Sequence, residues 1–344
     1  MNTYYDGTKL LSLMDIDGNK PEIYMVTTNR TGGKTTYFSR LCINRFKKNN
    51  ELFMILYRYK YELDDCANTF FNDIGSLFFP DDIMRSVARK HGTYHELYLN
   101  DKLCGFAVAI NCADQIKKIS HLFNNVCRMF MDEFQSESND YAPDELTKFQ
   151  SIHTSVARGQ GKQVRYVPVY MCSNPISLLN PYYVAMGIST SLKKNNKFLR
   201  GHGWVLEQGY VESAKTAQQN SGFNKAFATT SYSAYSAQGV YLNDNKTFIE
   251  KPSGVGRYIA TIRFNNKEYA IREYTTRGII YCDDHVDTSF KFKISITTDD
   301  LDINYVMLKR NDMFINHMRW YFDKGCFRFK DLLCKEAIMK MLSY

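Results

Sequence analysis

The sequence lacks any apolar run of the roughly 18 to 20 residues that a membrane-spanning helix needs. Its first residues, Met1 to Asp6, also lack the basic segment followed by an apolar one that is typical of a secretory signal. We therefore expect a protein that is neither secreted nor embedded in a membrane, and that has no membrane partner.

Paired cysteines are lacking as well. The nine cysteines are an odd number, and they are scattered without a C-x-x-C pair or the Cys/His spacing of zinc ligands. This pattern argues for reduced thiols in a cytosol-like compartment, and against a disulfide framework or a structural zinc.

Neither sign of charge dominates. The 44 Lys and Arg residues exceed the 36 Asp and Glu residues by a net charge of +8, and the 44% hydrophobic content is that of an ordinary globular protein. The small basic excess favours a polyanionic partner such as nucleic acid over an incidental basic surface. The length of 344 residues suffices for two domains.

One stretch has the pattern of a phosphate-binding loop. A β-prone run ending at Val26 precedes it, and a segment with helical apolar spacing follows it. Backbone N–H groups around Gly32 and Gly33 would hold phosphate oxygens, Lys34 would reach the β- and γ-phosphates, and the Thr35 hydroxyl would bind Mg²⁺. The candidate nucleotide-binding residues of this loop are Thr28, Asn29, Arg30, Thr31, Gly32, Gly33, Lys34, Thr35 and Thr36.

The loop also lacks a feature of the usual pattern, since Thr28 stands where its first glycine is expected. An ordinary strand-turn-helix corner is the alternative interpretation of the loop taken alone. Other motifs must decide between the two.

Two acidic residues end a second apolar run, Val126 to Met131. Asp132 would hold Mg²⁺ through water, and Glu133 would act as the general base on the attacking water. The alternative is that the two carboxylates simply begin a loop. A further predicted strand ends in Ser173 and Asn174, which could contact the γ-phosphate or could form a turn before Pro175.

These motifs together predict an α/β fold whose first domain, residues 1–198, has a parallel central sheet. Residues 199–247 are rich in small and polar residues, which indicates a linker or small helical subdomain. Residues 248–344 show strands followed by helices, the order of an α+β domain.

With these motifs the chain resembles the additional-strand P-loop ATPases, and more specifically the DNA-packaging ATPases of phi-twenty-nine-like phages, over nearly its whole length. The matching segments are Arg30-Thr31-Gly32-Gly33-Lys34-Thr35, Ile43-Asn44-Arg45-Phe46, Arg58-Tyr59-Lys60-Tyr61-Glu62-Leu63, Phe71-Asn72-Asp73, Met131-Asp132-Glu133-Phe134, Ser173-Asn174 with Asn180-Pro181-Tyr182, Phe248-Ile249-Glu250-Lys251 and Thr297-Thr298-Asp299-Asp300-Leu301.

The resemblance implies a homomeric ring, pentameric in that family, which docks on the portal of an empty capsid and drives double-stranded viral DNA inward at the cost of ATP. ATP and Mg²⁺ would lie between subunits, with Arg158 and, as a second cation, Lys60 reaching in from the neighbour. The implied location is the host-cell cytoplasm and, transiently, the capsid vertex, where a structural RNA is a further candidate partner.

The chain departs from the family pattern at Thr28 and in the loop that carries Arg158, which Gly159-Gln160-Gly161 lengthens. Lys162 and Arg165 therefore remain alternatives to Arg158 as the residue that acts on the neighbouring subunit.

The order of strands and helices in the last domain resembles a ribonuclease-H-like fold. A two-metal nuclease needs a carboxylate in its first strand, and Tyr258 to Phe264 has none, so we expect a vestigial nuclease domain. Asp283 and Asp284 motivate the alternative of a terminase with an active C-terminal nuclease. A DNA- or portal-binding structural protein with a degenerate loop is the non-enzyme alternative.

Overall fold

The computed structural model describes residues 4–67, 70–138, 140–159, 161–192, 196–230, 235–236, 241, 248–309 and 311–343. The chain forms two compact units. Unit one comprises Met1–Met186 and Leu192–Asn243, and unit two comprises Gly187–Ser191 and Asp244–Tyr344. Among the helices of the described ranges, none has the length and hydropathy that crossing a bilayer requires.

A nine-stranded sheet forms the centre of unit one, in the spatial order β3-β4-β5-β2-β6-β7-β1-β9-β8. The six strands from β5 to β9 in that order run parallel, and hairpin partners flank them on both sides. The strands are β1 (Ile23–Thr27), β2 (Leu52–Tyr57), β3 (Met84–Arg89), β4 (Tyr94–Leu99), β5 (Lys102–Ala109), β6 (Val126–Asp132), β7 (Val169–Ser173), β8 (Phe198–Gly201) and β9 (Trp204–Gln208).

Helices cover this sheet and connect its parallel strands. The Phe38 ring of the helix after β1 stacks on Phe130 and Tyr170 of two central strands, which fixes that helix to the sheet. The α-helices of the described residues are α1 (Thr8–Leu11), α2 (Lys34–Asn49), α3 (Lys60–Cys66), α4 (Asn72–Phe78), α5 (Ala113–Lys118), α6 (Glu145–Val156), α7 (Pro181–Ala185), α8 (Ile188–Ser191), α9 (Glu212–Asn220), α10 (Gly222–Ala226), α11 (Met313–Asp323) and α12 (Leu332–Ser343).

The register of the parallel strands brings three strand ends to one edge of the sheet. Thr27 at the end of β1 pairs with Ser173 at the end of β7, and Asp132 at the end of β6 pairs with Cys172. Ligands of open α/β sheets bind at this carboxyl edge. The three motifs found in the sequence therefore meet at one place.

The mixed α/β class and the large parallel-rich sheet confirm the coarse fold prediction for the first part of the chain. The sheet, however, continues past residue 198. The predicted boundary at 198 falls inside β8, and β9 pairs in parallel with β1 because its apolar middle is buried beside that strand. The division into three domains stays a prediction, and residues 231–234, 237–240 and 242–247 of the predicted linker lie outside the described ranges.

Unit two contains a five-stranded sheet in the order β13-β10-β11-β12-β14. The strand β11 pairs antiparallel with β10 and with β12, and β13 runs parallel to β10. The strands are β10 (Arg257–Phe264), β11 (Lys267–Tyr274), β12 (Ile279–Asp283), β13 (Lys293–Ser295) and β14 (Phe327–Phe329), and the helices α8, α11 and α12 belong to the same unit.

Candidate nucleotide site

The loop between β1 and α2 bends through two left-handed residues. Thr31 has φ of 60° and Gly33 has φ of 87°, and α2 begins at the next residue, Lys34. Glycine at the second position avoids the strain that a Cβ would add there. The loop thus places backbone N–H groups at the start of a 16-residue helix, where anions are favoured. Thr36 lies half-buried in the first helical turn.

The missing first glycine has a steric explanation. Thr28 is buried, and its hydroxyl donates to the carbonyl of Asn29 at 2.9 Å. A Cβ on Gly32 would lie 2.9 Å from the Thr28 Oγ1 atom, and a Cβ on Gly209 would lie 2.9 Å from its Cγ2 atom. The loop therefore accommodates Thr28 because glycines stand at the two positions that its side chain approaches.

The Asn29 side chain holds the loop in place. It accepts from the backbone N–H of Val211 and donates to the Val211 carbonyl, both at 3.0 Å. The side chain is fully buried, so a ligand could meet only the backbone of this residue. The prediction from sequence missed this role because Val211 lies far along the chain, after β9.

Lys34 and Asn174 are joined directly. The Lys34 ammonium donates to the Asn174 Oδ1 atom at 2.7 Å, and Lys34 is only 7% exposed. Burial lowers the pKa of the Lys34 ammonium, and the nearby Asp132 charge opposes that shift. The Ser173 side chain forms a local hydrogen bond instead, in which its hydroxyl donates to the carbonyl of Asn174 at 2.8 Å.

Asp132 lies close to the Thr35 hydroxyl. Burial raises the pKa of the Asp132 carboxyl, while the Lys34 charge and the Thr35 hydroxyl act in the opposite direction. The backbone N–H of Glu133 also donates to the Asp132 Oδ1 atom at 3.0 Å. The two residues predicted as metal ligands are therefore adjacent, and a hydroxyl with a carboxylate is a donor set that suits Mg²⁺.

Glu133 follows the end of β6 with a left-handed backbone, φ 53°. Partial desolvation and then the Asp132 charge raise the pKa of the Glu133 carboxyl. Arg58 holds this strand end, since its guanidinium donates to the carbonyls of Glu133 at 3.3 Å and Phe134 at 3.0 Å. Arg58 is itself buried and paired with Glu145 at 2.9 Å. The sequence did not indicate that Arg58 supports this strand end.

Arg30 points toward the loop that follows β6. Its guanidinium forms an ion pair with Glu137, and the Tyr235 hydroxyl donates to the same Glu137 oxygen at 2.7 Å. Thr31 contacts α9, whose Gln218 amide donates to the Thr31 hydroxyl at 3.3 Å. These contacts hold the loop between β1 and α2 against two neighbouring segments of unit one.

The loop after α6 distinguishes among the three candidates for a residue acting on a neighbour. Arg165 donates to the carbonyls of Val156 at 2.7 Å and Val126 at 3.2 Å, so its guanidinium stabilises this chain's own fold. Arg158 is exposed and donates to the Ser120 hydroxyl at 2.6 Å, and Lys162 is exposed. Gln160 lies outside the described residues. The assignment to Arg158, with Lys162 and Arg165 as alternatives, remains a prediction.

Lys60, the second predicted cation, begins α3. Its ammonium donates to the carbonyl of His91 at 2.8 Å, in the turn between β3 and β4. Within a single chain, the Lys60 side chain therefore contacts the turn between β3 and β4.

The fold and this arrangement define a class: a mixed α/β protein with a candidate nucleotide site at the carboxyl edge of a parallel-rich sheet. The chain belongs to the family of Podovirus DNA encapsidation proteins (Gp16), whose model matches residues 1–343. It is thus a genome-packaging protein of the phi29-like phages.

Relatives cover nearly the whole chain. It is 26% identical over 342 residues to the DNA packaging protein of Bacillus phage phi29, across 98% of this chain and 96% of that protein. It resembles a chain of the bacteriophage Phi-29 viral genome packaging motor assembly, with TM-score 0.71, 25% identity, and coverage of 99% and 100% of the two chains. The Phi-28 gp11 DNA packaging motor shares the fold, with TM-score 0.61, 16% identity, and coverage of 100% and 99%.

Proposed function

We propose that this chain is an ATPase that hydrolyses ATP to move double-stranded viral DNA into a preformed capsid. The observation that carries the proposal is the pair of contacts at one sheet edge, Lys34 to Asn174 and Thr35 to Asp132. Phosphoryl transfer requires a set of parts that this edge brings together: a strand, a loop, a helix and an acidic strand end.

Each residue of the site has a distinct role in this proposal. Backbone N–H groups of the loop and the Lys34 ammonium bind the phosphates, and Asn174 orients Lys34. Thr35 and Asp132 hold Mg²⁺, which when bound neutralises charge on the phosphate oxygens. Glu133 accepts the proton of the attacking water, and its raised pKa brings it closer to the value that suits a base near neutral pH.

We further propose that the chain works as a homomeric ring, a pentamer, on the portal of the capsid. Support comes from the motor assembly that the similar Phi-29 chain forms. ATP would lie between subunits, with the exposed Arg158 completing the neighbour's site and Lys60 as a second cation. The ring would act in the host cytoplasm and on the capsid vertex, where a structural RNA is a further candidate component.

Unit two is, in this proposal, a ribonuclease-H-like domain without nuclease activity. Its two strand-end carboxylates are already paired: Arg272 lies 3.0 Å from Asp283, and Lys330 lies 2.5 Å from Asp284. Its first strand, β10, supplies no carboxylate. Plasmid DNA incubated with the protein and Mn²⁺ should stay intact, and cleavage lost in Asp283→Asn would support the active nuclease instead.

ATP turnover with and without double-stranded DNA tests the main proposal. We expect saturable hydrolysis that DNA stimulates and that Lys34→Ala abolishes. Binding of DNA without any ATP turnover, under conditions where the chain self-associates, would favour a structural protein with a degenerate loop.

A further inference from the structure

A buried glutamine, Gln135, joins the two strand ends that carry the candidate site. It follows Glu133 by two residues and is only 2% exposed. Its Oε1 atom accepts from the backbone N–H of Ile176 at 3.1 Å and from that of Ser177 at 2.9 Å. Ile176 in turn follows Asn174 by two residues. One side chain therefore connects the segment after β6 to the segment after β7.

These two hydrogen bonds lie past the end of the sheet. The register of β6 and β7 pairs their residues as far as Asp132 and Cys172. Ile176 and Ser177 lie beyond that point, and both are buried. Buried backbone N–H groups need an acceptor, and one side-chain oxygen here serves two of them. Gln135 thus continues the connection between the two strands beyond their backbone pairing.

Both sides of this connection lead to groups with a proposed role in catalysis. On the side of β6, Arg58 donates to the carbonyls of Glu133 and of the residue after it, and Gln135 comes next in the chain. The position of Gln135 is therefore set together with that of the proposed general base. On the side of β7, Asn174 accepts from the Lys34 ammonium at 2.7 Å. A continuous set of contacts thus runs from the general base to the proposed phosphate-binding lysine.

We propose that Gln135 is a positioning residue for ATP hydrolysis, which keeps Asn174 and the Lys34 ammonium aligned with Glu133. The inference rests on the proposed ATPase function. Binding of the phosphates depends on the loop N–H groups and on Lys34, which Gln135 does not replace. Alignment matters to the rate instead, since a displacement of about 1 Å can slow an enzyme reaction by roughly 100-fold. Loss of Gln135 should therefore reduce the rate of hydrolysis far more than the affinity for ATP.

The variant Gln135→Met tests the proposal, because methionine is of similar size and its thioether is only a weak acceptor. Single-turnover phosphate release measures the hydrolysis rate of the full chain, and a titration measures its ATP affinity. We expect the rate to fall by about 10- to 100-fold and the affinity to change less than about twofold.

Asp300→Leu is the matched control. Asp300 likewise accepts from two consecutive backbone N–H groups, those of Asn265 at 2.9 Å and Asn266 at 2.7 Å, but it lies in unit two. The control variant loses the same kind of contact, so its stability should fall while its hydrolysis rate stays that of the wild type.

A double-mutant cycle with Asn174→Ala supplies a readout that a merely structural role would not move. Because Gln135 acts through Asn174 in this proposal, Gln135→Met should slow hydrolysis less than about twofold in the Asn174→Ala background. The same 10- to 100-fold loss in both backgrounds would show independent effects and would overturn the positioning role.

The outcomes separate the inference from the function on which it rests. A folded Gln135→Met variant with the wild-type rate, or with equal losses of rate and affinity, would overturn the positioning role while the ATPase proposal stands. A wild-type chain that does not hydrolyse ATP would overturn both. Should Gln135→Met fail to fold, Gln135→Asn carries the same expectation, because it draws the amide oxygen back by one methylene.

Discussion

Two strand ends in this protein look alike in sequence and differ in their chemistry. In unit one, β6 leads into Asp132 and Glu133, and in unit two, β12 leads into Asp283 and Asp284. Both are short apolar runs followed by two acidic residues. Taken alone, these two short stretches do not distinguish a reactive acidic pair from a structural one.

The surrounding cations make the difference. Among the described residues, no cation forms a salt bridge with Asp132 or Glu133, and burial raises the pKa of both carboxyls. The nearest lysine, Lys34, donates instead to Asn174. Unit two shows the reverse. Partial burial acts to raise the pKa of the Asp284 carboxyl, but the ion pair with Lys330 lowers that pKa overall.

We infer from this comparison that the acidic pair of unit one is the one suited to a metal and a water, because the lysine beside it binds an amide instead. Lys34 donates to an amide and forms no salt bridge with the carboxylates of unit one. Arg272 and Lys330, in contrast, form salt bridges with the carboxylates of unit two. The following predictions test that contrast, starting from the largest expected effect.

Replacing the lysine of unit one should have the largest effect. We expect Lys34→Ala to abolish ATP turnover, because it removes the cation that compensates the phosphate charge. Lys330→Ala removes the comparable lysine of unit two and is the matched control, with turnover unchanged. A steady-state phosphate-release assay measures both. An equal loss of ATP turnover in the two variants would show that both substitutions act by destabilising the protein.

Arg158→Ala should lower turnover of the assembled ring by roughly 10³-fold or more, the effect of removing such a residue in related reactions. ATP binding should persist, because the residue would act on a neighbouring subunit. Lys162→Ala is the control on the same exposed loop. If Lys162→Ala abolishes turnover and Arg158→Ala does not, the assignment passes to Lys162.

Arg272→Ala should destabilise unit two by about 1 to 3 kcal/mol, because the buried Asp283 would lose its partly exposed hydrogen-bonding cation. Arg257→Ala breaks an exposed ion pair with Glu273 in the same sheet and should cost less than about 1 kcal/mol. The sequence has two tryptophans, so in a Trp204→Phe background the fluorescence of Trp320 reports urea unfolding of unit two alone. Equal losses of stability in Arg272→Ala and Arg257→Ala would argue against a buried ion pair between Arg272 and Asp283.

The stability of unit two should depend weakly on pH through Glu336. Burial raises the pKa of this carboxyl from 4.5 to about 7, with Lys340 opposing the shift. The folded state then holds the proton more tightly than the unfolded state, so stability should fall as pH rises from about 4.5 to 7. We expect a loss of roughly 1 kcal/mol, less than the full shift implies, because Glu336 is only half-buried.

Unfolding of the same Trp204→Phe background at several pH values measures this dependence, and Glu336→Gln should flatten it. A slope of the opposite sign, or one that Glu336→Gln leaves intact, would contradict the assignment to Glu336.

Local patterns made the site's centre predictable from the sequence. The loop around Gly33, the helix from Lys34 and the strand ending at Asp132 each follow from a contiguous run of residues. Parallel strands then bring such runs to one sheet edge, as the pairing of Thr27 with Ser173 illustrates.

The supporting contacts were not predictable in this way. Asn29 bonds to a residue 182 positions away, and Arg58 to one 87 positions away, and neither pairing leaves a periodic signal. The strand β9 was also missed, because its short run lies beside a stretch of small polar residues that indicated a linker. Tertiary packing decided these features.

The most direct test of the contrast between the two acidic pairs compares Glu133→Gln with Asp284→Asn in one DNA-stimulated ATPase assay, with ATP binding measured in parallel. We predict that Glu133→Gln binds ATP but turns it over at least about 100-fold more slowly, and that Asp284→Asn matches the wild type. Wild-type turnover in Glu133→Gln, or an equal loss in Asp284→Asn, would contradict the account.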